Sequence, residues 1–301
     1  MVKIGTYLSG AFSFEEQLHV LKNTGFDFVG LTLGLFKAEG DLLERTVSLC
    51  EKYGLEVDNI HLTGSKTNVM WSNDPLGDEI CDRYCREIER ASAAGIHIGV
   101  AHVVWGYLTE APVEEIGLSR FARIAECAER NGFNLALENS VDDKYLYAVM
   151  EHLRDYRSVG FAFDSGHHHA FAAEYDFLTD FADRLLTTHI ADNDGAHDLH
   201  LMPLDGTIPW KEIAAKLAKT EVGRNRILAE PSLGGGKKIR DMNAEQIRQS
   251  IAHLPIAAEP ELLVLEDERF SAYGPLTYEQ KIERLYTRMK RLAAMIEAEI
   301  A

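Results

Sequence analysis

The sequence predicts a closed parallel α/β barrel, and three observations carry that prediction. Eight short apolar runs of strand length recur along the chain, separated by helical patterns. Six of these runs in succession end on a histidine or a carboxylate: His61, His102, Glu138, Asp164, His189 and Glu230. The turn after the first run, Tyr7-Leu-Ser-Gly-Ala-Phe, is not the glycine-rich phosphate turn that usually opens a doubly wound sheet, the competing architecture. With 301 residues the chain has room for a barrel of about 250 residues as one domain, 1–301, plus one insertion.

The elements follow in order. Residues 2–8 form the first strand, and Ser13 with Glu16 opens a helix as a capping box that Gly25 closes. Strand 28–32, helix 41–53 ended by Gly54, and strand 57–61 come next. A long helix from about Pro75 to Gly95 precedes strand 98–102, and helix 112–131, closed by Gly132, precedes strand 134–138. Helix 143–156 leads to strand 159–164, helix 177–184 to strand 185–189, and helix 209–219 to strand 227–230. Residues 278–299 supply the closing helix, with Ile282, Leu285, Met289, Leu292 and Ile296 on one face. Residues 233–276 remain over, with a helical pattern at 244–254 and a β-prone stretch at 262–265; an insertion at the catalytic end, as lid or subunit contact, is expected.

The formal charge is -17, with 48 acidic against 31 basic residues, which argues against a broad surface for nucleic acid. Cys50, Cys81, Cys85 and Cys127 fall in helical patterns without a C-x-x-C pair, the usage of reduced thiols in the cytoplasm, and Cys81 and Cys85 suit buried packing. The start MVKIGTYLSG has no leader-like apolar core, and no apolar run reaches the ~18 residues of a membrane span, so a cytoplasmic protein is expected.

Residues 161–210 hold Asp164, His167, His189, Asp198 and His200. A lone histidine at a strand end is more often a hydrogen-bonded structural residue. Six ionisable strand ends converging on one mouth would repel one another and lose solvation without a cation, so the set predicts a metal site. Asp198 and His200 share a face if extended and, with His167, make either a second cation cluster or hydrogen-bond donors to substrate. His168 and His169 read as loop residues or as residues supporting the ligands from behind, and Asp192 and Asp194 as residues that order a turn.

Four motifs, Leu137-Glu-Asn139, Asp164-Ser-Gly-His167, His189-Ile-Ala-Asp-Asn-Asp194 with Asp198-Leu-His200, and Ala229-Glu230, resemble those of the xylose-isomerase-like barrel superfamily. That superfamily holds sugar and sugar-phosphate isomerases and epimerases and, as relatives, apurinic endonucleases of the endonuclease IV type. The resemblance covers residues 1–232 and the closing helix, and implies a (β/α)8 TIM barrel. It implies one Mn, Zn, Mg or Co ion on Glu138, Asp164, His189 and Glu230. In the endonuclease branch, His61, His102, His167, Asp198 and His200 match positions that extend this to three zinc ions. No nucleotide cofactor is implied. The segment Pro203-Leu-Asp-Gly-Thr-Ile-Pro-Trp210 resembles the branch pattern P-G-E-G-x-I-D-W and departs from it at Leu204, Asp205 and Pro209.

The chemistry expected is isomerisation or epimerisation of a sugar or sugar phosphate, with Glu138 and Glu230 as acid/base pair and the ion stabilising an enediolate. His167 is expected to hold a substrate oxygen, and Trp71 to stack on an apolar sugar face or lie in the core. The loops after the first three strands carry only Lys37 and Lys66, which disfavours the zinc nuclease. A metal-dependent lyase or dehydratase and a non-catalytic sugar-binding barrel stay open, as does a homo-oligomer. Gly234-Gly-Gly-Lys-Lys238, after the eighth strand, is either a phosphate-binding loop or a hinge for the insertion.

Overall fold

The computed structural model describes residues 1–36, 41–105, 112–171, 175–233, 237–238, 243–266 and 269–301. Its eight parallel strands are β1 (Lys3–Tyr7), β2 (Phe28–Thr32), β3 (Glu56–His61), β4 (Ile98–His102), β5 (Asn134–Glu138), β6 (Val159–Asp164), β7 (Leu185–His189) and β8 (Arg226–Ala229). They pair in the order β7-β6-β5-β4-β3-β2-β1-β8, a sequential ring rather than the switched order of an open sheet. The remaining seam, between β7 and β8, is closed sparsely. Ile190 N donates to Leu228 O at 2.8 Å and Glu230 N to Ile190 O at 3.0 Å, while Leu228 N is taken by the Thr188 hydroxyl at 2.9 Å.

Alternation along the strands separates two apolar regions. Leu135 and Leu137 of β5 belong to the main core with the helices, whereas Ala136 packs with Val100 and Ala162 on the face that carries Glu138 and Asp164. Small side chains beneath the ionisable groups leave the mouth room to gather them.

The helices are α1 (Phe14–Thr24), α2 (Leu42–Lys52), α3 (Leu76–Ala93), α4 (Glu115–Arg130), α5 (Asp143–His152), α6 (Ser165–Ala170), α7 (Phe177–Asp180), α8 (Trp210–Leu217), α9 (Glu221–Asn225), α10 (Ala244–Ile251) and α11 (Tyr278–Ile300). Ser13 caps α1 by accepting from Glu16 N, and Gly25 ends it at φ 111°, a conformation open to glycine. Several expected bounds shift. Strand 1 is shorter than 2–8, helix 143–156 stops at His152, and helix 177–184 is one α-turn followed by a 3-10 turn over Ala182–Arg184. β8 ends at Ala229, so Glu230 is the first residue beyond its strand and not the last within it.

In the stretch 233–276, β9 (Lys237–Lys238), β10 (Leu263–Glu266) and β11 (Arg269–Ala272) form a small antiparallel sheet in the order β10-β11-β9. Ile256, Leu262 and Tyr273 from this stretch join the main core. Among the described residues no helix is long and apolar enough to cross a membrane.

Candidate metal centre

Register sets the first group of side chains. Parallel pairing aligns His102 with Glu138 and Asp164 with His189, so residues distant in sequence reach one rim. One ligand atom each from Glu138, Asp164, His189 and Glu230 lies within 4.8 Å of the other three. His189 Nδ1 stands between two carboxylates, 3.1 Å from Glu138 Oε1 and 3.0 Å from Glu230 Oε2. His61 Nε2 and His102 Nε2 approach the other oxygen of Glu138, at 3.1 and 3.3 Å.

The motif residues around Asp164 fix its backbone. Asn139 accepts from Asp164 N at 2.7 Å and donates to Asp164 O at 2.9 Å. Ser165 exchanges hydrogen bonds with both backbone groups of Ala191, and Asn193 donates to Gly166 O. Asp164 Oδ1 accepts from His167 N and caps α6, a helical turn the sequence pattern did not reveal because Gly166 and three successive histidines lack an amphipathic period.

A second group, His167, Asp198 and His200, also places its ligand atoms within 4.8 Å. Its geometry depends on loops. His200 sits at φ 48° and Leu204 at φ 71°, both in the left-handed region, where a bulky side chain is strained. The loop is tied down from afar. Tyr273, itself at φ 65°, accepts from Met202 N and donates to Asp205 Oδ2, each at 2.8 Å. Asp205, fully buried, is also paired with Arg284 at 3.0 Å and Arg288 at 2.6 Å, both on α11. Gly206 is required here, because a Cβ would strike Asn193 O and Asp192 Oδ1. Asp192 accepts from Asn193 N, Leu204 N, Ile208 N and the Trp210 indole, which is the turn-ordering expected of it. Asp194 does the same for Ala196 N and His197 N, and His169 bonds the Thr207 hydroxyl.

Electrostatics polarise the rim. Burial raises Asp164 to about 6. Burial opposes ionisation of Glu138 and Glu230, yet His102 and His189 hold Glu138 well below the carboxylate range, and His189 brings Glu230 to about 2. Burial disfavours the imidazolium form of His189 and His167, but neighbouring carboxylates carry both well above the usual value; Glu230 and Glu138 act on His189, and Asp164 and Asp198 on His167. His102 goes the other way, lowered to about 3 by burial.

The donor set suits a divalent cation, since carboxylates and imidazoles together are the ligands of Zn, Mn and Co. One atom supports the fit: Asp164 Oδ2 is buried without a hydrogen-bond partner among the described residues, a costly state that a cation at the rim would relieve.

Trp71 does not face this mouth. It is fully buried, stacks on Phe121 and Tyr145 and donates its indole N–H to Val103 O, so its place is the core and the sugar-stacking expectation is corrected. Trp105 does reach the rim, 46% exposed, edge-on to His102 and gripped by the Asn68 amide through its own N and O. Tyr7 was also missed: its hydroxyl lies 2.8 Å from His189 Nε2. Ending strand 1 at Leu8 concealed it, because the strand ends one residue earlier. Gly234–Gly236 of the proposed phosphate loop lie outside the described residues, as does Lys37; Lys237 and Lys238 form β9.

Comparison with known proteins places this arrangement. The family described as xylose isomerase-like TIM barrel matches residues 18–256. A D-psicose 3-epimerase from Clostridium cellulolyticum, solved with D-tagatose, superposes with a TM-score of 0.70 at 15% identity, over 98% of this chain and 99% of its own. A D-tagatose 3-epimerase-like protein gives 0.69 at 19% identity, over 100% of both chains. A xylose isomerase domain protein from Alicyclobacillus acidocaldarius gives 0.67 at 16% identity, over 99% of this chain and 100% of its own. At these identities the likeness is one of fold. The uncharacterized protein y4fM of Sinorhizobium fredii is 38% identical over 102 residues, so the match spans 32% of this chain and 32% of that relative.

Proposed function

We infer that this chain, which belongs to the xylose isomerase-like TIM barrel family, is a divalent-metal-dependent isomerase or epimerase of a sugar or sugar phosphate. The observation that carries the reading is the convergence of Glu138, Asp164, His189 and Glu230 on one point of the rim, with two carboxylates flanking one imidazole. These four residues would hold a divalent cation, whose contribution there would be Lewis-acid polarisation of a substrate carbonyl. The chain's own residues do the rest. Glu138 ends β5 and Glu230 follows β8, three strands further round the ring, and both are disposed to be ionised, so either can take a proton from carbon. Return of the proton by the same carboxylate gives isomerisation between neighbouring carbons, and return by the other gives epimerisation. His167 binds a substrate oxygen, and Trp105, half-exposed and edge-on to His102, offers apolar surface at the same rim.

The ketose 3-epimerases among the structural neighbours make ketoses the first substrates to try. Incubation with a ketose panel in D2O should place solvent deuterium next to the carbonyl in the presence of Mn, Co or Zn and not after chelation. Absence of exchange with every ketose and ketose phosphate, in protein shown to hold metal, would reject the reading.

A second reading rests on the His61–His102–Glu138 and His167–Asp198–His200 groups, each able to hold a further ion. Three zinc ions per chain and cleavage of abasic DNA would favour a nuclease; the charge of -17 speaks against it. We further take residues 1–301 as one cytoplasmic domain, with 233–276 as lid or subunit contact.

A further inference from the structure

We propose that Asp58, Asn59 and Tyr7 form a one-way hydrogen-bond chain through the barrel that fixes which nitrogen of His189 faces the rim. The proposal rests on the cation reading above, but its hydrogen-bond logic starts elsewhere, at the far side of the barrel interior.

Arg226 donates to Asp58 Oδ1 at 2.8 Å. A carboxylate so paired is acceptor only, and Asp58 Oδ2 takes the Thr187 hydroxyl proton at 2.9 Å and the Asn59 amide N–H at 2.9 Å. Thr187 has then spent its one proton, so its oxygen accepts the other Asn59 N–H at 3.1 Å. With both amide protons committed, Asn59 can turn only its carbonyl oxygen towards Tyr7, whose hydroxyl lies 2.6 Å away. An amide oxygen cannot donate, so the single phenolic proton points at Asn59. The Tyr7 oxygen has only lone pairs left for His189 Nε2, at 2.8 Å. That nitrogen must carry the hydrogen. Nδ1 is thereby the nitrogen left for the rim, where Glu138 Oε1 and Glu230 Oε2 stand 3.1 and 3.0 Å away.

Every member of the chain has its protons accounted for, and Asn59 and Thr187 are buried from water that would scramble them. The residues come from β1, β3, β7 and β8, so the ring itself assembles the relay. With the ring hydrogen held on Nε2, the Nδ1 lone pair is the one that would be offered to a cation, without the ring having to turn. Tyr7, Asn59 and Asp58 are thus positioning residues for His189.

The test uses the full-length protein with 15N-labelled histidine. In the wild-type protein the His189 ring should show a slowly exchanging Nε2–H, and with zinc bound the Nδ1 resonance should be the one that shifts. Tyr7→Phe should abolish the slow exchange and weaken zinc by roughly 10–100-fold in competition with a chromogenic chelator. Asn59→Leu frees the phenolic proton to point at Nε2 and should act in the same direction; its thermal midpoint and that of Tyr7→Phe are recorded to separate lost positioning from lost fold. An Nδ1-protonated ring in the zinc protein, or a folded Tyr7→Phe variant within twofold of wild type in zinc affinity, overturns the proposal. If the wild-type protein binds no zinc, Mn or Co, the cation reading fails by itself, and the exchange of Nε2–H in the metal-free ring still decides the relay.

Discussion

The two candidate ligand groups at the rim are built on different principles. Glu138, Asp164 and His189 end strands, and Glu230 follows one, so parallel register places them and side chains of the barrel strands hold them. His167, Asp198 and His200 lie on a short helical turn and a loop, and their placement depends on residues far along the chain. Tyr273 reaches Asp205 across 68 positions, and Arg284 and Arg288 reach it across 79 and 83. The first group is a property of the barrel; the second is imposed on it by the stretch 233–276 and the closing helix. Strain follows the same division, since His200, Leu204 and Tyr273 all adopt left-handed backbone within the second assembly.

The largest expected effect strikes the first group. Glu138→Gln keeps the shape but removes the negative charge that both His102 and His189 face, along with one of the two carboxylates proposed to transfer the proton. Deuterium exchange into a ketose should fall by about 10²–10⁴-fold, the usual contribution of general acid–base catalysis, while a non-catalytic binder would retain ligand affinity. Next comes Asp205→Asn, which leaves the Arg284 and Arg288 guanidiniums facing a buried neutral amide. A loss of about 3 kcal/mol in denaturant unfolding is expected from breaking a buried pair. More telling is the order of metal loss: ions on the His167 group should go first, with the Glu138 group still loaded. Equal loss from both groups would erase the distinction between them.

Protons should sharpen it further. In metal-free protein His189 titrates well above its ordinary value because Glu230 and Glu138 outweigh its burial. A raised pKa means the stabilisation is fully present below the unfolded value of about 6.5 and is lost as the pH climbs through the folded one. Chelated protein should therefore lose thermal midpoint on the alkaline side of neutrality. Cation-loaded protein should not, since the ion has replaced the proton, and its affinity should rise with pH. On the acid side, Glu230, lowered to about 2, contributes stability present above the ordinary carboxylate value near 4.3 and lost towards 2.

The same division explains what the sequence disclosed. Strand ends are legible because a run of apolar residues stops at an ionisable one, and His61, His102, Glu138, Asp164 and His189 do end their strands. The placement of Trp71 was not legible, because an aromatic between strands can face in or out and only packing against Phe121 and Tyr145 decides. Tyr7 was hidden by a one-residue error in a strand end, and the α6 turn by a sequence with no period. Departures at Leu204 and Asp205 were visible as letters, but their meaning needed the arginines of α11.

Leu204 offers the finest test of the loop. It stands where the resembling pattern has glycine, and it keeps a glycine-like backbone at φ 71°, with its N–H given to Asp192 Oδ2 at 3.0 Å. Holding a non-glycine residue there costs about 1–2 kcal/mol. Leu204→Gly removes that strain but loses partial packing against the core and adds about 0.5–1 kcal/mol of unfolded-state freedom. The terms nearly cancel, so unfolding free energy should move by no more than about 1 kcal/mol, against about 2–5 kcal/mol for truncating a buried leucine. A large loss at Leu204 would mean that its side chain, and not the hydrogen bonds of Asp192 and Tyr273, shapes the turn carrying Asp198 and His200. A near-neutral result would leave those polar ties as what holds the second group to the rim.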